Sequence, residues 1–313
     1  MSAPAIEVHN LVKQYGSVLA VDGISFAVAP GELVGFLGLN GAGKTTTMRI
    51  LTTFMPASSG TAKVAGYDVM YQSDEVRSNL GYLPENVPLY PEMRVEEYLL
   101  FRAKLKRIDR EGRTKRIDYC LERCRIKEVR RRLLSTLSKG YRQRVGLADA
   151  MLSDPKVLIL DEPLTGLDPI QQEETLNTIR SLGGEHTVLF SSHHLPDVEK
   201  VCERAIVIHR GKIGFNDKLS VVQAKAPRYL VEVRGAEEKL TAFFKNYPGV
   251  ENVVHASGTD DGVHNYELKT HEGQDLREAL TKKLVEQGFG LRRLEQRRER
   301  LEDTFSRVIF DRE

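Results

Sequence analysis

Four stretches of this chain are apolar almost without interruption: Leu33-Val34-Gly35-Phe36-Leu37, Val157-Leu158-Ile159-Leu160, Thr187-Val188-Leu189-Phe190 and Ala205-Ile206-Val207-Ile208. Short runs of this kind predict strands buried on both faces, the pattern of a parallel sheet covered by helices. Ahead of them, Ile6-Glu7-Val8 alternates like an edge strand. Val18-Leu19-Ala20-Val21 and Ile24-Ser25-Phe26-Ala27-Val28 predict further short strands before the Pro30-Gly31 turn. Together these make a small antiparallel β layer. After the break at Pro56-Ala57-Ser58-Ser59-Gly60, Thr61-Ala62-Lys63-Val64 and Gly81-Tyr82-Leu83-Pro84 predict two more strands. From Tyr98 the period lengthens. Tyr98, Phe101, Leu105 and Ile108, then Ile117, Cys120, Leu121 and Cys124, recur at helical spacing with Lys and Arg between them. Two amphipathic helices inserted into an α/β domain are expected, with the Cys pair at i,i+4 as small core residues.

Beyond about residue 220 the rhythm changes again. Strands over 229–233, 250–254, 264–269 and 289–294 alternate with helices over 237–246 and 276–287, giving β-α-β-β-α-β, the order of a ferredoxin-like sandwich. The expected division is therefore 1–220, with a helical subdomain at about 90–150, and an accessory α+β domain at 221–313. No catalytic constellation falls in the second part, which reads as a packing or dimer-contact module, with regulatory ligand binding as the alternative.

Composition narrows the function. The 313 residues are 41% hydrophobic and 29% charged, ample for a sizeable core and two domains. Lys and Arg number 46 against 44 Asp and Glu, so the charge of +2 gives no electrostatic case for nucleic acid. Cys120, Cys124 and Cys202 are odd in number and lack metal-binding spacing, which favours a reduced, cytoplasmic protein. No stretch approaches the roughly 20 apolar residues of a membrane helix, so a role at a membrane would need another subunit.

The chemistry begins where the first buried strand ends. Gly38-Leu39-Asn40-Gly41-Ala42-Gly43-Lys44-Thr45-Thr46 fits G-x-x-x-x-G-K-[ST] between a strand and the helical pattern at Met48-Arg49-Ile50-Leu51. The bare pattern should arise by chance in roughly one chain in a hundred of this length, and the strand and helix flanks lower that further. Its glycines allow a tight turn whose N–H groups cradle a phosphate chain at the positive end of a helix. Lys44 adds charge for the β- and γ-phosphates, and the Thr45 hydroxyl is a Mg²⁺ ligand in this pattern. Asp161 and Glu162 follow a central strand, at the carboxyl end where α/β sheets bind ligands. Asp161 would hold Mg²⁺ through water, and Glu162 would orient and deprotonate an attacking water. His193, past the end of another buried strand, can reach a γ-phosphate as a donor. Ser138 and Gly140 open a further helix and offer a second oxyanion site. Tyr15 precedes the second strand, where an aromatic face either packs in the core or stacks on a base.

In this order the residues resemble the nucleotide-binding subunit of an ATP-binding-cassette (ABC) transporter, over about Ile6 to Leu219. The resemblance implies a P-loop NTPase cassette: a RecA-like parallel sheet core, an antiparallel β layer and a helical subdomain. It makes Tyr15 the adenine-stacking aromatic, Gly38 to Thr45 the Walker A loop and Leu137 to Tyr141 the family signature. It likewise makes Asp161 and Glu162 the Walker B pair, Gly166-Leu167-Asp168 the D-loop and His193 the switch histidine. Gly81-Tyr82-Leu83-Pro84-Glu85-Asn86 and Leu137-Ser138-Lys139-Gly140-Tyr141 resemble the type-2 exporters, particularly the gliding-motility and drug or polysaccharide efflux branch. Glu85 stands where many cassettes have a Mg²⁺-contacting glutamine, and Lys139 where the signature has its second glycine. The resemblance implies ATP and Mg²⁺, hydrolysis, and two copies meeting head to tail. Ser138 and the Gly140 amide of one would then close over the γ-phosphate held by the other. It also implies separate membrane permease subunits, one of whose cytoplasmic helices would meet Leu89, Tyr90 and Met93, and a peripheral location on the cytoplasmic membrane face. Two rival readings are a soluble cassette acting on ribosomes or DNA, and a nucleotide-dependent scaffold that does not hydrolyse. The span from Lys44 to Asp161 holds neither a second cassette nor a long coiled coil, and intact Lys44, Asp161, Glu162 and His193 argue for hydrolysis.

Overall fold

The computed structural model describes residues 3–223, 228–259, 261–270, 275–297 and 301–310. The chain forms two compact units, Met1–Lys218 with Val308–Glu313, and Leu219–Arg307.

The larger unit runs β1 (Ile6–Tyr15), β2 (Val18–Val28), β3 (Leu33–Leu37), α1 (Lys44–Leu51), β4 (Ser59–Val64), β5 (Tyr67–Asp68), α2 (Ser73–Asn79) and β6 (Leu80–Leu83). Helices α3 (Val95–Leu105), α4 (Arg110–Arg123) and α5 (Lys139–Met151) follow. The unit continues through β7 (Val157–Leu160), α6 (Pro169–Leu182), β8 (Thr187–Ser192), α7 (Leu195–Val201), β9 (Arg204–His209) and β10 (Lys212–Lys218).

One sheet has the order β10-β9-β3-β8-β7-β6. From β9 to β6 every neighbouring pair is parallel, so the carboxyl ends of β3, β7 and β8 lie along one edge. Every residue of those three strands is buried, as their unbroken apolar runs require. The second sheet, β2-β1-β4-β5, is antiparallel.

Two strand expectations need correction. β1 is not an edge strand: it pairs with β2 on one side and β4 on the other and extends to Tyr15. Irregularities after Val8, with Asn10 at φ 45°, break the alternation, so the pattern hides the far half of the strand. Val18 to Val28 is one strand, carried through Gly23 at φ +64°.

In the helical region, α3 buries Val95, Tyr98, Leu99 and Ala103, whereas the expected Leu105 is exposed. A polar tie replaces apolar contact there. Arg102 Nε donates to both Asp149 carboxylate oxygens at 3.0 and 2.9 Å, and Lys106 Nζ donates to the Asp149 carbonyl at 2.6 Å. Cys120 and Cys124 are buried, and burial pushes the Cys120 thiol up to about 11.

The smaller unit begins with α8 (Leu219–Gln223), followed by β11 (Arg228–Arg234), α9 (Glu237–Lys245), β12 (Val250–Gly258), β13 (Val263–Thr270), α10 (Arg277–Glu286) and β14 (Gly290–Arg297). The strand order is β12-β13-β11-β14 with every neighbouring pair antiparallel, the arrangement of a split β-α-β sandwich. Tyr229, Val231 and Val233 alternate inward and meet Leu240 and Phe244 of α9 and Leu280 and Leu284 of α10. The final helix, α11 (Leu301–Phe310), spans the residues where the chain returns from the second unit to the first. Among the described residues no helix is long and apolar enough to cross a membrane.

Candidate active site

The loop after β3 is shaped by glycine. Gly41 and Gly43 hold φ of +79° and +110°, a region costly for other residues. A Cβ on Gly38 would lie 2.5 Å from the Ile208 carbonyl oxygen, and one on Gly43 2.5 Å from that of Ala20. No side chain caps α1, so its first-turn N–H groups are left for a ligand in the loop. Lys44 is only 5% exposed. Its ammonium donates to the carbonyls of Gly38 at 2.7 Å and Leu39 at 3.3 Å, which offsets the cost of burial.

The two carboxylates arrive from β7. Asp161 Oδ1 accepts from Ser191 Oγ at 2.7 Å and from Thr45 Oγ1 at 3.4 Å, while its buried Oδ2 has no hydrogen-bond partner. Burial raises the Asp161 pKa above the usual carboxylate range. The Ser191 and Thr45 hydrogen bonds oppose that shift, and the nearby Glu162 and Glu85 charges add to it. Glu162 has φ +49°, a strained backbone for a side-chain-bearing residue, and its N–H donates to Ser191 Oγ at 2.9 Å. One carboxylate oxygen, Oε2, lies 2.8 Å from His193 Nδ1 and accepts from Thr165 Oγ1 at 3.4 Å. The other, Oε1, is 3.3 Å from Lys44 Nζ, an ion pair without hydrogen-bond geometry. His193 itself is half-exposed.

These groups surround a cleft of about 340 Å³. Leu39, Asn40, Gly41, Gly43, Lys44, Thr45 and Thr46 form one wall, and Glu85, Glu162 and His193 face them. Gly38 and Ala42 shape the loop from behind. Asp161 stands behind Thr45. The Glu85 backbone is fixed by Gln143 Nε2, which donates to its carbonyl at 3.2 Å.

Besides Gly38, Ala42 and Asp161, four expected residues do not line this cleft. Tyr15 ends β1 with its ring 44% exposed, its hydroxyl 2.9 Å from Met55 Sδ and Lys13 Nζ 5.2 Å from its centroid. Ser138 caps α5 by accepting from the Tyr141 N–H at 3.4 Å, and Asp168 caps α6 by accepting from the Gln171 N–H at 2.9 Å. Gly140 abuts α6, where a Cβ would come within 2.0 Å of Gln171 Oε1. Lys139 lies against Gly166, so the stretch 138–140 packs on the stretch 166–171.

Three residues escaped the sequence reading. Ala20 and Thr165 line the cleft, and Ser191 ties the Asp161 carboxylate and the Glu162 backbone to β8. Ser191 carried a signal, since a hydroxyl inside a fully buried strand needs a polar partner. Ala20 carried none.

A glycine-walled phosphate cradle facing an Asp-Glu strand end defines a nucleotide-hydrolysing P-loop ATPase. The sequence profile described as ABC transporter matches residues 21–165. The chain is 32% identical to the uncharacterized ABC transporter ATP-binding protein YxlF of Bacillus subtilis (strain 168), over 97% of this chain and 99% of that protein. It is also 32% identical to the bacitracin transport ATP-binding protein BcrA of Bacillus licheniformis, over 97% of each. Among solved structures, an ATP-binding subunit of an ABC transporter superposes with a TM-score of 0.64 at 28% identity, over 70% of this chain and 92% of that one. The chain belongs to the ABC transporter ATP-binding proteins and is an ATPase of that family.

Proposed function

We propose that this chain is the ATP-hydrolysing subunit of a type-2 ABC exporter, working as a head-to-tail pair beneath separate permease subunits on the cytoplasmic membrane face. The observation that carries this is Glu162, held by the strained backbone and by His193 over the phosphate cradle, 3.3 Å from Lys44. Lys44 would leave the Gly38 and Leu39 carbonyls for the β- and γ-phosphates. Glu162 would then accept a proton from the attacking water, a role worth about 10²–10⁴ in rate. His193 Nδ1 faces the Glu162 carboxylate and so carries a proton; Nε2 would donate to the γ-phosphate from the doubly protonated ring.

The unpartnered Asp161 Oδ2, beside the Thr45 hydroxyl, is an all-oxygen donor set suited to Mg²⁺. Thr45 and Asp161 would hold the ion, with Glu85 at the rim in the glutamine's usual position. When bound, Mg²⁺ would supply positive charge against the charge that develops on the phosphates. Tyr15 would stack on adenine.

Ser138, Gly140 and Asp168 lie outside their own chain's cleft, which supports a second copy supplying them. A charged Lys139 beside a triphosphate is electrostatically acceptable. Half-exposed Tyr90, with Leu89 and Met93, would receive a cytoplasmic helix of the permease. The full-length match to a protein named for bacitracin transport favours transport over action on ribosomes or DNA.

Light scattering of the full-length Glu162→Gln chain with ATP tests the pairing. A dimer that forms with ATP and is lost in Glu162→Gln, Ser138→Arg is expected; a monomer in ATP overturns the homodimeric form.

A further inference from the structure

Three donor side chains converge in the smaller unit, outside the profile-matched residues 21–165. His264 Nδ1 and His255 Nε2 are 3.3 Å apart, and Glu237 Oε1 is 3.2 Å from His255 Nδ1. One donor atom from each residue lies within 4.8 Å of the other two. We propose that His255 and His264, oriented by Glu237, bind a divalent transition metal of the zinc class.

The strands are arranged to allow it. His255 pairs with Tyr266, and an irregularity before Ser257 adds one residue to β12, so that Gly258 rather than Ser257 sits opposite His264. A Cβ at 258 would lie 2.7 Å from His264 Nδ1 and 3.7 Å from His255 Nε2. Glycine therefore keeps clear the space that the two nitrogens face. The rings are also held in place. His264 is buried, and His255 packs on the Tyr266 ring with centroids 4.9 Å apart.

The 3.3 Å spacing suits two ligands of one ion. Two nitrogens at about 2.0–2.1 Å from one tetrahedral ion stand about 3.3–3.4 Å apart. Glu237 completes the chemistry. A carboxylate on Nδ1 fixes the tautomer that leaves Nε2 with a lone pair, the common carboxylate–histidine–metal arrangement. Imidazole donors select zinc, copper, nickel or cobalt over the hard Mg²⁺ expected in the cassette. Glu237 and His255 are at the surface, which leaves the remaining coordination positions to water.

The test is a Co²⁺ titration of the tag-free full-length chain, nucleotide-free and in excess Mg²⁺, read by visible absorption and by competition with Zn²⁺. One equivalent per chain is expected, with the intense bands of a tetrahedral ion, displaced by Zn²⁺. Glu237→Gln should weaken binding by about 10–100-fold, the usual cost of losing an orienting partner. Gly258→Val should abolish it while circular dichroism and melting show the domain intact. Binding of equal strength in wild type, His264→Gln and Gly258→Val would overturn the proposal, as would the absence of any equivalent in wild type.

Discussion

Two of the three sheets among the described residues carry functional groups in opposite ways. In the six-stranded sheet, β3, β7 and β8 are buried on both faces, so polar chemistry can appear only where the strands stop. Lys44, Asp161 and His193 accordingly come from three strand ends that are distant in sequence and adjacent in the sheet. In the antiparallel sheet of the smaller unit the side chains alternate, and groups meet across the strands themselves, as His255 and His264 do. A parallel sheet builds sites from loops; an antiparallel one can build them from register.

The largest effect that could break this comparison is at Glu162. If the strand end supplies the base, Glu162→Gln should lower the steady-state phosphate release rate by about 10²–10⁴-fold while leaving nucleotide affinity within a few-fold. A loss below tenfold would move the base elsewhere. Second in size is Phe244→Ala, which empties a fully buried position in the smaller core. Its cost is about 3–5 kcal/mol. At about 4–8 °C per kcal/mol for a small domain, calorimetry should show one transition falling by more than 10 °C while the nucleotide-stabilised transition stays. A single transition shifted as a whole would mean that the two units do not melt independently.

A middle-sized effect sharpens the account of how strand ends are fixed. Ser191 Oγ accepts from the Glu162 N–H and donates to Asp161, so Ser191→Ala takes the acceptor from the Glu162 N–H and leaves Asp161 Oδ1 only the longer Thr45 bond. The expected loss is about 1–3 kcal/mol in denaturant unfolding, with a fall in the ATPase rate as Glu162 loosens. Ser191→Thr, which keeps the hydroxyl, should recover most of the rate. Equal stability in Ser191→Ala would show that the strained Glu162 backbone is held by other contacts.

How much of this was readable in advance follows the same division. The buried strands, the phosphate loop, Asp161, Glu162 and His193 were legible because continuous apolar runs and glycine spacing are local signals. β1 was misread as an edge strand because its irregularities erase alternation, and the neighbour that makes it interior, β4, lies about 50 residues on. The apolar face of α3 was misjudged because Asp149, far along the chain, draws Arg102 and Lys106 to that side. Ser191 and Ala20 enter the site only through sheet register and loop approach, which no short window contains. The histidine pair was invisible for the same reason: the extra residue in β12 that sets Gly258 against His264 is a property of two strands.

The smallest expected effect contrasts two aspartates. Burial raises the pKa of Asp161, so between the ordinary value of 3.8 and the raised one the folded state binds more protons than the unfolded. Stability from this group therefore falls as pH rises through that window. Asp275 is the reverse. At the start of α10 it is exposed, and its hydrogen bonds from the Arg277 side chain and N–H lower its pKa from 3.8 to about 2. Its contribution is present above about pH 4 and is lost as pH falls through about 2. Melting curves from pH 3 to 7 should then separate the variants. Asp161→Asn should raise the melting temperature of the nucleotide-free protein above the window while abolishing turnover. Asp275→Asn should lower it slightly, and 1 M salt should shrink that difference because an exposed pair is screened. A melting temperature that falls in Asp161→Asn at neutral pH would show that the Ser191 and Thr45 hydrogen bonds outweigh the cost of burying this carboxylate.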